Sequence, residues 1–338
     1  MSREIQDILS TAAVFAIPLH DPFRGITVRE GILLEGPAGW AEFSPFTDYD
    51  DQACVPWLHA ALDTAQNPWP EMQRTAIEVN TTVAVVAPAR AAALVAASGC
   101  RTAKVKVGAL DGGVEGRGIA NTLSADAERL AAVRDAIGSV GKIRIDANAG
   151  WTVDEALRAI PILDTAAGGL EYVEQPCASL EDMAAVRRKV AVPIAADESI
   201  RRAEDPMRVV LAGAADLAVI KVAPLGGVPR ALQIADAAGL PVVVSSAVDS
   251  AVGLAAGLAL AGALPELAYA CGLGTASLLV GDVSSHSPLP VDGRLPVPTT
   301  APVPDRQREF AADAERARYW RARLERVAGL LAAARIDR

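Results

Sequence analysis

Four short apolar segments recur at nearly constant spacing in the second half of the chain: GLEYVE (Gly169–Glu174), VPIAAD (Val192–Asp197), LAVIK (Leu217–Lys221) and PVVVS (Pro241–Ser245). Their first residues lie 23, 25 and 24 positions apart, close to the length of one strand plus one helix. Stretches rich in alanine and leucine, of helical composition, separate them. Strands that alternate with helices at this spacing predict βαβ units and a parallel sheet.

Further segments of the same kind bring the number of predicted strands to eight. Three precede the quoted segments and a weaker one follows them: Val79–Val86, Thr102–Val107, Lys142–Asp146 and Leu267–Gly272. Eight βα units close into a (β/α)8-type barrel, so we expect an α/β protein with this architecture. A doubly wound open sheet, which usually has fewer strands, is the alternative.

The first 80 residues follow a different pattern, with most of the aromatic residues and little apolar continuity. Ala12–Pro18, Gly25–Glu35 and Gly39–Phe43 predict the strands of an antiparallel meander, and Asp51–Ala65 predicts a helix. This part of the sequence therefore indicates a small α+β domain in front of the barrel.

Three units are expected along the chain. Residues 1–80 form the capping domain and residues 81–303 the barrel. Residues 304–338 form a helical return, with a helix predicted over Pro304–Ala333, that packs on the cap or on the barrel wall. The glycine-rich stretch Gly108–Ser124 interrupts the barrel pattern after its second strand, and we expect a βα loop there.

Composition argues against several classes of partner. The formal net charge is −9 and no dense run of lysine or arginine offsets it, which disfavours nucleic acid and anionic membranes. The four cysteines are scattered, and the N-terminal MSREIQDILS lacks a signal-peptide pattern. We therefore expect a cytoplasmic protein without a disulfide framework. A monomer is favoured because no long apolar surface stripe stands out.

Polar residues stand at the carboxyl ends of the predicted barrel strands, where the active face of such a barrel lies. From the second strand to the seventh they are Lys104 with Lys106, Asp146, Glu174, Asp197, Lys221 and Ser245. Taken singly, each has a structural interpretation, such as a solvated edge strand for the two neighbouring lysines or a helix cap for Asp146. Their matching depth on consecutive strands indicates a common site.

Three carboxylates in this set lie on successive strands. Asp146, Glu174 and Asp197 belong to the third, fourth and fifth strands, and neighbouring strands are about 4.8 Å apart. Buried carboxylates at that spacing repel one another unless a cation neutralises them. Oxygen ligands completed by water suit Mg²⁺, and Mn²⁺ accepts the same ligands. The sequence therefore predicts a divalent metal site.

Lysines on the second and sixth strands of an eight-stranded ring face each other across its mouth. Lys104 and Lys106 lie on the second strand and Lys221 on the sixth. A divalent cation between opposed ammonium groups suits removal of a proton α to a carboxylate, because the cation stabilises the enediolate. A lysine acts as base only if its pKa falls from about 10.4 toward neutrality. The neighbouring ammonium of Lys104 favours that change in Lys106.

At these residues the sequence resembles the enolase superfamily, in its muconate-lactonizing subgroup. The segments that carry the resemblance are KVKVG (Lys104–Gly108), RIDANAGW (Arg144–Trp151), YVEQP (Tyr172–Pro176), ADES (Ala196–Ser199) and IKVAPLGG (Ile220–Gly227). The resemblance implies that Asp146, Glu174 and Asp197 bind Mg²⁺ and that Lys106 and Lys221 are an acid–base pair. It further implies that Lys104 tunes Lys106, and that Asn148 and Glu198 support the metal ligands.

Within the subgroup the sequence is most similar to the o-succinylbenzoate synthases of menaquinone biosynthesis. HDPFRG (His20–Gly25) and SSAVDS (Ser245–Ser250) carry this similarity, and they are less specific than the barrel motifs. The implied reaction dehydrates 2-succinyl-6-hydroxy-2,4-cyclohexadiene-1-carboxylate to 2-succinylbenzoate. Arg24, Ser245 and Ser246 are then candidates for binding the carboxylate of this small-molecule substrate. A surface arginine after a turn is an equally good interpretation of Arg24.

Other functions stay open. N-acylamino acid racemization and muconate cycloisomerization use the same pair of lysines, and a non-catalytic metal-binding barrel or a class I aldolase is also conceivable. Two relatives are disfavoured. The region of the eighth strand, YACGLG (Tyr269–Gly274), lacks the Asp-x-Asp pair of dipeptide epimerases, and the seventh strand lacks the histidine of the mandelate racemase type.

Overall fold

An antiparallel three-stranded sheet forms the N-terminal part of the chain in the computed structural model, which describes residues 2–110, 114–115, 119, 122–202 and 207–336. Its elements are α1 (Arg3–Ser10), β1 (Ala13–Phe23), β2 (Ile26–Gly36), β3 (Gly39–Phe43) and α2 (Val55–Gln66). The strand order is β1-β2-β3, so the predicted meander is confirmed. β1 continues past Pro18, where the prediction ended it, because an edge strand tolerates proline.

Strands and helices alternate through the rest of the chain. They are β4 (Ala76–Val83), α3 (Pro88–Ser98), β5 (Thr102–Lys106), β6 (Ala109–Leu110), β7 (Val114–Glu115), α4 (Leu123–Ile137), β8 (Lys142–Asp146), α5 (Val153–Ala166), β9 (Tyr172–Glu174), α6 (Leu180–Arg187), β10 (Ile194–Ala196), α7 (Glu198–Arg202), α8 (Met207–Leu211), β11 (Leu217–Ile220), α9 (Val222–Leu225), α10 (Val228–Ala238), β12 (Val242–Val244), α11 (Ala251–Ala263), β13 (Cys271–Gly274), β14 (Arg294–Pro296) and α12 (Ala314–Ile336). Within the loop predicted over Gly108–Ser124, β6 pairs with β7. Residues 111–113, 116–118 and 120–121 of that loop lie outside the described residues.

Eight parallel strands form a nearly closed barrel. Their order is β12-β11-β10-β9-β8-β5-β4-β13, and a parallel bridge between Ser245 and Gly272 joins the two ends. The (β/α)8 prediction is therefore confirmed and the open sheet is excluded. β14 adds an antiparallel pairing to β4. β13 begins four residues later than the run predicted at Leu267–Gly272, because its pairing with β4 and not its hydropathy sets its bounds.

The apolar strands are buried on both faces, because helices cover one face and the barrel interior covers the other. β9, β10, β11 and β12 are buried at every residue, as continuous apolar strands of a parallel sheet are. Helix α11 is also buried along most of its length. Among the described residues, no helix combines the length and the hydropathy needed to cross a membrane.

The C-terminal helix packs on the cap. Trp320, Leu324 and Val327 of α12 share a buried cluster with Phe43 of β3 and Trp57 of α2. The helix begins at Ala314, ten residues after the predicted start at Pro304. The reason is that the chain before it pairs with edge strand β1: the Ala16 amide donates to Phe310 O at 2.8 Å, and the Ala312 amide to Val14 O at 3.1 Å.

Truncation of Trp320 tests this packing. The indole is 1 % exposed and donates a hydrogen bond to Glu30 Oε2 at 2.9 Å. We expect Trp320→Ala to lower the free energy of unfolding by about 3–5 kcal/mol, measured by urea denaturation. Leu330→Ala on the exposed face of the same helix is the control, with a change within about 0.5 kcal/mol. Equal losses in the two variants would contradict this packing.

Candidate active site

One cavity at the carboxyl end of the barrel brings the predicted residues together. Ten of the eleven line it: Arg24, Lys104, Lys106, Asp146, Asn148, Asp197, Glu198, Lys221, Ser245 and Ser246. The remaining residue, Glu174, is fully buried and contacts Lys104. The cap closes the cavity from above with Phe23, Arg24 and Phe46. Side chains from both parts of the chain therefore meet at this mouth.

Strand register places lysines beside carboxylates. In the parallel ladder Lys106 is level with Asp146, and Asp146 is level with Glu174. Lys104 Nζ lies 2.5 Å from Glu174 Oε1 and 2.9 Å from Asp146 Oδ2. Lys106 Nζ lies 2.6 Å from the same Asp146 oxygen and 2.6 Å from Asn148 Oδ1. Each buried charge thus has an opposite charge within hydrogen-bond distance.

The third lysine stands on the opposite wall. Lys221 follows β11, which is four strands from β5 in the ring, and its ammonium pairs with the carboxylate of Asp197. Lys106 and Lys221 both line the cavity. A molecule bound between them has an ammonium group on each side.

The two lysines of β5 differ in basicity. Burial lowers the pKa of Lys106, and the neighbouring ammonium of Lys104 lowers it further, against the opposing effect of Asp146. Burial also disfavours the charge of Lys104, but Asp146 and Glu174 outweigh it and hold the pKa of Lys104 well above its ordinary value. Lys104 is therefore a fixed cation, whereas Lys106 is the lysine that gives up its proton more easily.

The carboxyl groups of Asp146 and Glu174 also differ in pKa. Burial opposes the charge of Asp146, yet Lys104 and Lys106 hold the pKa of Asp146 well below its ordinary value. Burial, together with the charge of Asp146, raises the pKa of Glu174 to about 8. Glu174 Oε2 is buried without a hydrogen-bond partner among the described residues. A buried carboxylate oxygen of this kind suits a hard cation.

The carboxylates are not arranged around a common point. Among the described residues, no three His, Cys, Asp or Glu side chains form a group spaced for a metal ion. Lys104 Nζ lies between Asp146 and Glu174 and contacts both. The donor set, three buried carboxylates with one oxygen of Glu174 unpaired, nevertheless has the chemistry that Mg²⁺ and Mn²⁺ prefer.

Several loops around the cavity have a left-handed backbone at residues other than glycine. They include Arg24 (φ 50°), Asn148 (φ 45°), Gln175 (φ 40°) and Val248 (φ 62°). Asparagine tolerates this conformation, but for a β-branched valine it is a true outlier. Such strain costs about 1–3 kcal/mol and persists only where the surroundings enforce it. Tertiary contacts therefore hold these loops in place.

Gln175 organises the segment that carries Asp197. Its Oε1 accepts from the amides of Asp197 at 3.0 Å and Ser199 at 3.1 Å, and its Nε2 donates to Ser199 Oγ at 2.7 Å. Asn148 Nδ2 donates to Glu198 Oε1 at 3.3 Å. The sequence singled out Gln175 only as part of a motif, and its bonding role came from the structure.

The serines after β12 and the arginine of the cap lie at the edge of the cavity. Ser246 Oγ is 2.7 Å from Thr275 Oγ1, and Ser245 Oγ donates to Gly272 O at 3.4 Å. The guanidinium of Arg24 lies 4.3 Å from the centre of the Phe46 ring. Its ion pair with Asp48, at 3.6 Å, is largely exposed and contributes little.

Seven lining residues were not among the predicted site residues: Phe23, Phe46, Thr82, Ala247, Val248, Gly272 and Thr275. Thr82 and Thr275 lie at the carboxyl ends of β4 and β13, so the rule applied to the other strands could have found them. Val248 lies within the quoted segment SSAVDS, but no sequence pattern marks Phe46, because its place depends on how the cap meets the barrel.

Two domain families match the chain. Residues 87–302 match the family described as Enolase C-terminal domain-like, and residues 14–65 match the family described as Enolase N-terminal domain-like. A similar solved structure is that of 2-chloromuconate cycloisomerase from Rhodococcus opacus 1CP, with a TM-score of 0.74 at 22% identity, covering 89% of this chain and 98% of that one. This likeness concerns the fold.

Two curated relatives have a higher sequence identity to this chain than that solved structure has. The o-succinylbenzoate synthase of Thermobifida fusca is 54% identical over 93% of this chain and 95% of its own length. The o-succinylbenzoate synthase of Mycolicibacterium smegmatis is 50% identical over 94% of both chains. With both of its parts matched by enolase-like domain families, the chain belongs to the enolase superfamily, in the family of these synthases.

Proposed function

We propose that the protein is an o-succinylbenzoate synthase, a metal-dependent hydro-lyase of menaquinone biosynthesis. Its reaction is the syn-dehydration of 2-succinyl-6-hydroxy-2,4-cyclohexadiene-1-carboxylate to 2-succinylbenzoate. The observation that carries the proposal is the pair of lysines on opposite walls of one cavity, Lys106 and Lys221, beside three buried carboxylates. The names of relatives that are about half identical over almost the whole chain support the choice of substrate.

Lys106 is the proposed base. The hydrogen to be removed is α to the substrate carboxylate, and the electrons left behind form an enediolate. Because burial and Lys104 lower the pKa of Lys106, its amine accepts this proton more readily than an exposed lysine would. The proton then passes to the departing hydroxyl group, which leaves as water while the ring becomes aromatic.

Lys221 has a different proposed role on the opposite wall. Its contact with Asp197 holds the ammonium in place, and its charge faces the bound anion. Lys104 stays protonated between Asp146 and Glu174, so it keeps the base side of the site positively charged. These assignments divide proton transfer and charge stabilisation between the two walls.

Mg²⁺ is the proposed metal, with Mn²⁺ as a substitute. Asp146, Glu174 and Asp197 would hold it through carboxylate oxygens. When bound, a divalent cation stabilises the negative charge that develops on the substrate carboxylate. Asn148 donates to Glu198 and accepts from Lys106, and these bonds orient the groups around the proposed ligands.

Arg24, Ser245 and Ser246 are the proposed substrate-binding residues. The guanidinium comes from the cap turn and the hydroxyls from the end of β12, so they reach the cavity from different directions. A guanidinium binds a carboxylate through two parallel hydrogen bonds, which fits the succinyl end of the substrate.

The protein is proposed to have three parts and to act as a monomer. We assign residues 1–80 to the cap, 81–303 to the barrel and 304–338 to the return, although β4 already begins at Ala76. The four cysteines are free and buried, which agrees with a cytoplasmic location. A monomeric protein whose partner is a small-molecule carboxylate completes the proposal.

Metal removal is the first test. We expect purified protein with Mg²⁺ to convert the cyclohexadiene substrate to 2-succinylbenzoate, followed by the absorbance of the product. EDTA should stop turnover, and excess Mg²⁺ should restore it. Undiminished turnover in EDTA would contradict the metal site. No turnover with either Mg²⁺ or Mn²⁺ would contradict the synthase, and N-acylamino acids and muconate would then be tested.

Replacement of the base is the second test. Lys106→Ala should lower kcat by about 10²–10⁴-fold, the usual contribution of a positioned acid or base. The exposed Lys189 lies outside the cavity, so Lys189→Ala is the matched control and should keep wild-type turnover. Turnover of the Lys106 variant within a few-fold of wild type would show that another group removes the proton.

Removal of the cap arginine is the third test. Arg24→Ala should raise KM by about 10-fold or more while kcat changes less, because a charged hydrogen bond to substrate is lost. Arg90, which pairs with Asp21 at 3.2 Å outside the cavity, offers the matched control Arg90→Ala. An unchanged KM for the Arg24 variant would exclude its role in binding.

A further inference from the structure

The loop between β12 and α11 combines a strained backbone with a place beside the substrate. It comprises residues Ser245–Ser250, of which Ser245, Ser246, Ala247 and Val248 line the cavity. Val248 has φ 62°, a conformation that a β-branched residue avoids. A strained residue of this kind keeps its conformation only when its surroundings over-determine it.

Arg29, from strand β2 of the cap, contacts the strained residue directly. Its Nε donates to the carbonyl oxygen of Val248 at 3.0 Å. Its Nη2 lies 3.7 Å from Asp249 Oδ1 and donates to Ser44 Oγ at 2.7 Å. Arg29 is 2 % exposed and does not line the cavity. Its bonds therefore reach the loop and not the substrate.

Glu42, from strand β3 of the cap, holds the far end of the same loop. Its Oε2 accepts from the amides of Ser250 at 3.1 Å and Gly253 at 3.2 Å, and from the Ser250 hydroxyl. Its Oε1 accepts from Ser44 Oγ at 2.5 Å. A carboxylate of the cap thus binds the N-terminus of barrel helix α11, where negative charge is favoured.

These charges lie buried between the cap and the barrel. Arg29 is 2 % exposed and Glu42 8 %, and Ser250, which bonds to Glu42, is fully buried. Buried charge pairs add little net stability over apolar packing, but removal of one partner leaves the other unpaired. Their directional bonds, unlike apolar contacts, fix the conformation of the loop.

Arg29 also supports the cap wall of the cavity. Its guanidinium lies 4.8 Å from the centre of the Phe46 ring, and that of Arg24 lies 4.3 Å from the same ring. Phe46 lines the cavity. Arg29 therefore contacts both the strained barrel loop and the Phe46 ring, and the proposed substrate-binding residue Arg24 packs against the same ring.

We propose that Arg29 and Glu42 are positioning residues, which hold the Ser245–Ser250 loop in its strained conformation so that its side chains face the substrate. The cap then does more than cover the cavity, because it also shapes the barrel side of the site. The identity of the substrate rests on the proposed function, whereas the dependence of the loop on the cap does not.

A double-mutant cycle tests the link between Arg29 and the strain. Glycine adopts a positive φ without steric penalty. Val248→Gly therefore removes the backbone strain that the contact with Arg29 offsets. We expect Arg29→Met to lower kcat/KM at least about 10-fold, mainly through KM, when Val248 is present. In the V248G background the same change should cost less than about 3-fold. Equal costs in the two backgrounds would overturn the proposal.

Arg323→Met is the matched control. Arg323 is equally buried and donates to backbone oxygens of the cap, such as those of Phe46 at 3.0 Å and Tyr49 at 2.6 Å. Any loss that it causes through cap stability should be the same with and without Val248→Gly. Thermal denaturation identifies the folded variants, and if Arg29→Met does not fold, Glu42→Gln takes its place in the cycle with the same expectation.

Amide hydrogen exchange gives a readout that is independent of activity. The amides of Ala247 and Ser250 are bonded to Asp249 and Glu42 and should exchange at least about 10-fold faster in the Arg29 variant. Amides of β9 should be unchanged. Unchanged exchange in the loop would overturn the proposal. Absence of turnover in the wild type would overturn only the proposed function, since the exchange result would still decide the role of the cap.

Discussion

Ion pairing at the mouth of the barrel is the interaction on which the site depends. Lys104 contacts both Asp146 and Glu174, and these charges could not be buried there without one another. The parallel barrel makes the pairing possible, because the carboxyl ends of all its strands lie at the same end. Segments separated by tens of residues along the chain thereby place their polar side chains at one depth.

The same pairing gives side chains with the same functional group different pKa values. Lys104 has two carboxylate partners and a pKa well above the ordinary value, while burial and the charge of Lys104 lower the pKa of Lys106. Asp146 faces two ammonium groups, whereas Glu174 has a pKa of about 8 because burial and the charge of Asp146 disfavour ionisation. Low dielectric and a small number of fixed neighbours are sufficient to shift the pKa values of two lysines on one strand in opposite directions.

The cap contributes to this site at two levels. Phe23, Arg24 and Phe46 line the cavity, and Arg29 and Glu42 bond to the barrel loop that forms part of its wall. The terminal helix α12 completes the core of the cap, so the last residues of the chain support the first ones. A change far from the cavity in sequence can therefore alter a loop that lines the cavity.

The sequence by itself determined the barrel, the antiparallel cap and the residues at the strand ends, including Lys106, Asp146 and Lys221, because strand–helix alternation and strand-end position are local patterns. Only the tertiary structure decided where α12 begins, that Phe46 lines the cavity, and that Arg29 bonds to the carbonyl oxygen of Val248. The chain before α12 forms an extended segment because β1 offers it hydrogen bonds. Arg29 and Val248 are 219 positions apart, and Glu42 and Ser250 are 208 positions apart. Contacts over such distances depend on how two folded parts meet, and no periodicity along the chain records them.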